Sequence, residues 1–277
     1  MTTAFVFGGG GLLGACEAGM ARALLESGVE PDLVVGTSIG AINGAAVAAD
    51  PTPSGAQRLV ELWAGLSDDE LLGGSVFGRL GALLRTRTSL HSHDELAAVL
   101  RRHLTVEHIE SLPVRFECVA ASIERAQEHW FCEGDLVRAV LASCALPGVF
   151  PPVHIEGEHY FDGGLVNSIP IARAIARGAT EIWVLHVGRI EEPLSVPRLP
   201  WEVGFVAFEI ARRHRFVRDL ADVPSGVRVH VLPTGLGERR PATWANLRYR
   251  DRRRIGERVD VAYRASLDYV RTLGRSA

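Results

Sequence analysis

The chain has 277 residues, of which 47% are hydrophobic and 23% charged, and its net charge is −3. That length buries a full core, the composition excludes extensive disorder, and the slight acidity argues against a dedicated nucleic-acid binder. Every basic residue other than histidine is Arg and none is Lys, a coding bias more than a chemical signal.

Residues 3–7 form a short β-prone run that meets Gly8-Gly9-Gly10-Gly11, after which residues 12–27 carry Leu13, Met20 and Leu24 at helical spacing and stop at Gly28. Pro31 introduces the apolar run Leu33-Val34-Val35, which breaks into Gly36-Thr37-Ser38-Ile39-Gly40 and continues as an Ala-rich helix to Ala49. Strand, helix, strand, helix in this order predicts a right-handed crossover between neighbouring parallel strands. The glycine loop and Ser38 then emerge at the same sheet edge. A helix is expected over residues 54–66, followed by a Gly- and Leu-rich connection to Leu90 with room for a lid. Ser92 to Glu95 fits a capping box that opens a helix to about Leu104, with Ser92 as N-cap. Paired strands are expected over 114–123 and 128–132, and a helix over 135–144. Short strands follow around 153–155 and 159–161, the second ending in Asp162-Gly163-Gly164. A helix over 171–177, a buried strand over 181–187, a helix over 201–220, a strand over 227–232 and a long Arg-rich helix over 250–273 complete the chain.

Cys16, Cys118, Cys132 and Cys144 show no C-x-x-C or paired spacing, so no zinc site and no disulfide framework is signalled, and free buried thiols are expected. No basic region followed by a long apolar run opens the chain, and no apolar segment reaches the roughly 18 residues of a membrane span. A soluble cytoplasmic protein without metal or cofactor is the expectation.

Gly36-x-Ser38-x-Gly40 after an apolar run reads as a nucleophile elbow, a strained strand-to-helix turn that exposes the serine at a helix N-terminus. Gly9-x-Gly11-x-x-Gly14 matches a dinucleotide fingerprint, but the second strand ends in Gly36-Thr37-Ser38 without the acidic residue that would hold a ribose. A phosphate-binding P-loop fails too, because Ala15-Cys16 follows Gly14. What remains is a run of backbone N–H groups beside Ser38, suited to an oxyanion hole. Ser38 needs a base. An α/β-hydrolase order would nominate His186, His214 or His230, yet that fold places several strands before its elbow and here there is one. Asp162 lies at a strand end before two glycines that permit close backbone approach, and its ordinary pKa of about 3.9 requires burial or hydrogen bonding to tune it. On spacing alone, a base and a simple D-G-G turn are balanced readings of Asp162.

The glycine loop with Gly14, the Gly36-Thr37-Ser38-Ile39-Gly40 elbow and Asp162-Gly163-Gly164, together with Ser143 to Pro152 and Asn167-Ser168-Ile169-Pro170, resemble the patatin-like phospholipase family of lipid acyl hydrolases. The resemblance spans roughly residues 4–187. It implies a three-layer α/β/α fold with a mostly parallel central sheet, a Ser38–Asp162 dyad without histidine, and an oxyanion hole from Gly9, Gly10 and Gly11. Gly8, Gly14, Gly36, Gly40, Gly163 and Gly164 would support the motifs. The function implied is hydrolysis of carboxylic esters of phospholipids or other acyl lipids through an acyl-enzyme. A soluble-ester or thioester hydrolase, an acyltransferase and a non-catalytic lipid-binding module are the alternatives. One departure is Leu13, where the family commonly carries a basic residue, so a preference for an anionic head group is not implied. Residues 1–277 are read as one domain, with a motif-bearing core over about 4–187 and an extension over about 200–277. In that extension Trp201, Phe205, Phe208 and Arg212 share one helical arc, which fits peripheral membrane contact; such stripes are more often core-facing.

Overall fold

A computed structural model describes residues 1–65, 92–187, 193–197, 199–235 and 252–274. The apolar runs become strands β1 (Thr3–Phe7), β2 (Leu33–Thr37) and β7 (Glu181–Leu185), with β3 (Arg115–Ser122) and β8 (Arg228–Val231) beside them. These five lie parallel in the order β3, β2, β1, β7, β8. Strands covered on both faces need apolar residues at successive positions, which is why β1 and β2 read as unbroken hydrophobic runs rather than as alternation. Alternation survives as a division between two cores. Phe5, Phe7, Val34, Trp183 and Leu185 point into one; Ala4, Val6, Leu33, Val35, Ile182 and Val184 point into the other.

Helices α1 (Ala15–Glu26), α2 (Ile39–Ala49), α3 (Pro53–Gly65), α4 (Asp94–His103), α5 (Leu136–Ser143) and α8 (Arg252–Gly274) bury their apolar faces in the first core. Helices α6 (Ile171–Ala176) and α7 (Pro200–Ala221) cover the opposite face through Ile171, Ala174 and Phe216. The result is the three-layer α/β/α arrangement with a mostly parallel sheet. Helix α8 packs so close to α1 that a Cβ on Gly19 would stand 2.2 Å from the Val259 carbonyl oxygen.

The remaining strands, β4 (Gln127–Phe131), β5 (Val153–Ile155) and β6 (Glu158–Asp162), are antiparallel. Strand β4 runs along one edge of β3, from Cys118↔Phe131 to Ser122↔Gln127. On the other edge β2 pairs with β3 only as far as Thr37↔Val119, and β6 takes over from Ala120↔Asp162. Strands β2 and β6 therefore meet end to end along one edge of β3, and each stops where the other stops.

Local departures from expectation have physical causes. The first helix begins with a 3-10 turn over Gly11–Gly14 rather than at residue 12, because Gly11 sits at φ 60°, outside helical geometry. The N-cap of α4 is His93, not Ser92: the Ser92 hydroxyl accepts from Asp94 N–H at 3.1 Å and donates to the Asp94 carboxylate at 2.7 Å, so it is committed one turn early. Of the cysteines, Cys16, Cys118 and Cys144 are buried free thiols, whereas Cys132 is exposed. The lid expected before Leu90 falls on residues 66–91, outside the described residues. Among the described residues no helix is long and apolar enough to cross a membrane.

Candidate active site

Ser38 stands between β2 and α2 with φ 55° and ψ −125°, a left-handed conformation that L side chains rarely adopt. The turn closes only because its flanks are glycine. A Cβ on Gly36 would lie 2.6 Å from the Gly40 carbonyl oxygen, and one on Gly40 would lie 2.5 Å and 2.6 Å from the carbonyl oxygens of Phe7 and Gly8. The elbow thus presses against the end of β1 and the start of the glycine loop. At the N-terminus of α2, Ser38 also sits where the macrodipole favours negative charge.

Asp162, at the end of β6, is buried, and its Oδ2 accepts a 2.6 Å hydrogen bond from Ser38 Oγ. Its other oxygen accepts from Gly164 N–H at 2.7 Å, which fixes the carboxylate plane. Burial pushes the Asp162 carboxyl up to about 6, while the bonds from Ser38 and Gly164 hold it from rising further. A Cβ on Gly163 would stand 2.1 Å from the Val119 carbonyl oxygen, so this glycine is what lets the turn fold back onto β3. Two strand ends supply the pair, and the C-terminus of α5 with the segment after it ties them together: Ser38 N–H donates to Ser143 Oγ at 2.9 Å and Asp162 N–H to the Ala145 carbonyl at 2.9 Å. Thr37 Oγ1 donates to the Asn167 carbonyl at 2.9 Å, a third tie between the two ends.

The glycine loop lies beside Ser38, with the position of a Gly9 Cβ 3.6 Å from Ser38 Cβ. Gly9 N–H, expected among the oxyanion donors, is already bonded to the Ser168 carbonyl at 2.8 Å. That bond occupies the Gly9 N–H, which leaves Gly10 and Gly11 of the three expected donors. Leu13 packs against the first core. Beneath the loop is a buried network that the sequence did not announce: Asn43 Nδ2 donates to the Gly14 carbonyl at 2.9 Å and to Glu17 at 2.7 Å, and Trp63 Nε1 donates to Asn43 Oδ1 at 2.9 Å. Burial holds the Glu17 carboxyl well above the usual carboxylate range, against the lowering effect of Asn43. Glu17 thereby braces the loop from below through Asn43.

No histidine serves Ser38 among the described residues. His186 backs the glycine loop, with its Cβ 3.3 Å from the position of a Gly8 Cβ. His230 stacks on Trp183 at 4.2 Å, and His214 is exposed on α7. The membrane arc on α7 is corrected where it can be seen. The Phe208 ring packs on the Asp162 turn, its Cζ 2.8 Å from the position of a Gly164 Cβ, and Arg212 is buried; the side chains of Trp201 and Phe205 lie outside the described residues. Phe208 and Arg212 thus face inward on α7. On the outer side of α7, Val203, Ile210 and Val217 are exposed, seven residues apart.

A small apolar cavity of about 20 Å³ lies against α2 at Ile39, Ile42 and Ala46, walled by Trp63 of α3 and by Leu96 and Leu100 of α4. From Ile39 to Ala46 the helix advances about 10 Å.

Sequence and fold comparisons place the chain among known proteins. The lysophospholipase nte1 of Aspergillus terreus is 29% identical over 187 residues, covering 68% of this chain and 12% of its own length. That of Emericella nidulans is 30% identical over 187 residues with the same coverage of 68% and 12%. The chain thus spans about an eighth of the length of these curated relatives. The crystal structure of VipD from Legionella pneumophila shares the fold, with a TM-score of 0.51 at 15% identity over 98% of this chain and 66% of that one. The sequence pattern described as patatin-like phospholipase matches residues 5–175, which include the glycine loop, Ser38 and Asp162. That match takes in more than half of the chain, and the chain belongs to the patatin-like phospholipase family.

Proposed function

We propose that this chain is a serine lipid acyl hydrolase that cleaves carboxylic esters of phospholipids or other acyl lipids through Ser38 and Asp162. The 2.6 Å bond from Ser38 Oγ to a carboxylate pushed up to about 6 carries the reading, because that value keeps the base ionised at neutral pH and basic enough to accept a proton. Asp162 takes the Ser38 proton as Oγ attacks the acyl carbonyl, and the N–H groups of Gly10 and Gly11 receive the developing oxyanion. Collapse of the tetrahedral intermediate expels the alcohol, which leaves with the proton from Asp162. Water then attacks the acyl-Ser38 ester, Asp162 accepts its proton, and the fatty acid departs as Ser38 is restored. The names of the nte1 relatives point to the same substrate class. Packing of α8 against α1 supports reading residues 1–277 as one domain, and Val203, Ile210 and Val217 offer an apolar line for peripheral membrane contact.

The test is hydrolysis of p-nitrophenyl esters of rising chain length and of phosphatidylcholine, run beside Ser38→Ala and a fluorophosphonate probe. Activity that grows with chain length, together with loss of both turnover and labelling in Ser38→Ala, is the expected result. Undiminished labelling of Ser38→Ala removes Ser38 from the scheme, and a preference for acetate esters removes the lipid.

A further inference from the structure

The glycine loop from Gly8 to Gly14 contains no charged residue, yet one cation reaches it from the far layer of the fold. Arg212, on α7, is buried and donates from Nη1 to the Gly9 carbonyl at 3.2 Å. Its Nη2 is held by Glu209, one turn earlier on α7 and also buried, at 2.9 Å. Its Nε has no acceptor among the described residues, so this buried guanidinium is not placed for its own satisfaction.

The Gly9 carbonyl and the Gly10 N–H belong to one peptide unit. That unit is trans, as are all those described, so its C=O and N–H point in opposite directions. An arginine that draws the carbonyl toward α7 turns the Gly10 N–H away from α7. The Gly9 N–H is tied to Ser168 and Gly9 abuts Ser38, which makes Gly10 the first free donor of the loop beside the nucleophile. A peptide between two glycines has the softest torsions in the chain and does not hold an orientation unaided. We infer that Arg212 is a positioning residue for the oxyanion hole, clamping the Gly9–Gly10 peptide so that Gly10 N–H faces the acyl oxygen. The inference rests on the acyl-hydrolase reading above and adds to it a residue outside the 5–175 stretch that defines the family match.

Arg212→Met and Arg212→Gln in the full chain separate this role from simple packing. Methionine fills similar space without a donor, whereas the glutamine amide donates to the same carbonyl. With p-nitrophenyl butyrate, Arg212→Met is expected to lower kcat by about 30-fold with KM within about twofold, a fraction of the loss seen when an oxyanion donor is removed outright. Arg212→Gln is expected to stay within about threefold of the parent. Unchanged kcat in a folded Arg212→Met, or equal losses in both variants, overturns the assignment. Should Arg212→Met not fold, Glu209→Leu, which removes the acceptor that anchors the guanidinium, is expected to lower kcat about fivefold, and no loss there overturns it as well. A crystal structure of Arg212→Gln and of whichever second variant folds gives a readout independent of turnover. The Gly9–Gly10 peptide keeps its direction with glutamine and loses it without the donor or its anchor; an unmoved peptide in both defeats the inference. A parent enzyme without esterase activity defeats the dyad reading instead, and the peptide orientation still decides the role of Arg212.

Discussion

The two strand ends that meet along β3 hold their residues by different means. The β2 end fixes Ser38 by steric exclusion: φ 55° at the serine, and glycines at 36 and 40 where any Cβ would strike backbone oxygen. The β6 end fixes Asp162 by hydrogen bonds from Gly164 N–H and to the Ala145 carbonyl, and by burial that works against its charge. One end is rigid whatever the pH; the other stores an electrostatic cost. Shape thus dominates at Ser38, which has one bond to Ser143 besides, and burial and hydrogen bonds dominate at Asp162, where Gly163 supplies the one steric requirement.

Breaking the polar end comes first in expected size. Asp162→Asn is expected to cut kcat by about a thousandfold or more, since the base is lost while the amide still bridges Ser38 and Gly164. The same substitution is expected to raise stability. A carboxyl whose folded pKa lies above its unfolded value binds protons better when native, so its contribution to stability falls as pH rises from about 4 to about 6. At pH 7 the upper limit of that cost is about 3 kcal/mol. Urea denaturation of both proteins at pH 4 and pH 7 reads it: the variant gains at pH 7 and not at pH 4. In the parent, kcat/KM is expected to fall below about pH 6 as the base protonates. A pH-independent difference in stability would detach the pKa from burial.

Breaking the steric end has the next effect. Gly40→Ala sets a Cβ 2.5 Å from the Phe7 carbonyl oxygen, which cannot recede without moving β1, and a loss of about 3 kcal/mol is expected by denaturant titration. The smallest effect sharpens the comparison. Ser38→Gly is expected to be more stable than Ser38→Ala by about 1 kcal/mol, because glycine tolerates the positive φ, which reverses the usual preference in favour of alanine. Equal stabilities would mean that the elbow relaxes when the serine is gone.

Much of this was legible in the chain. Unbroken apolar runs announced strands covered on both faces, and the glycines around Ser38 announced the elbow, since local sterics depend on residues adjacent in sequence. Asp162 was visible as a base or as a turn, and spacing left the two balanced. Its partner in the fold lies 124 residues away and its tuning comes from burial, neither of which a local pattern encodes. Ser143 and Ala145 lay inside a recognised stretch with no role attached, because a backbone bond between distant segments leaves no residue-type signature.

The sequence by itself determined the alternation of strand and helix with parallel pairing, the strand-to-helix turn at Ser38 and the glycine loop, which follow from periodicity and from where a side chain cannot fit; the three-layer arrangement was implied by the family resemblance. Only the tertiary structure decided the rest. The meeting of β2 and β6 along one edge of β3 set Asp162 against Ser38, and burial there pushed its carboxyl up to about 6. The Gly9 N–H, expected as an oxyanion donor, is instead bonded to Ser168, and the packing of α7 on the second sheet face brought Arg212 to the Gly9 carbonyl. Hydrogen bonds and dielectric depend on which segments become neighbours, and that is a property of the folded chain.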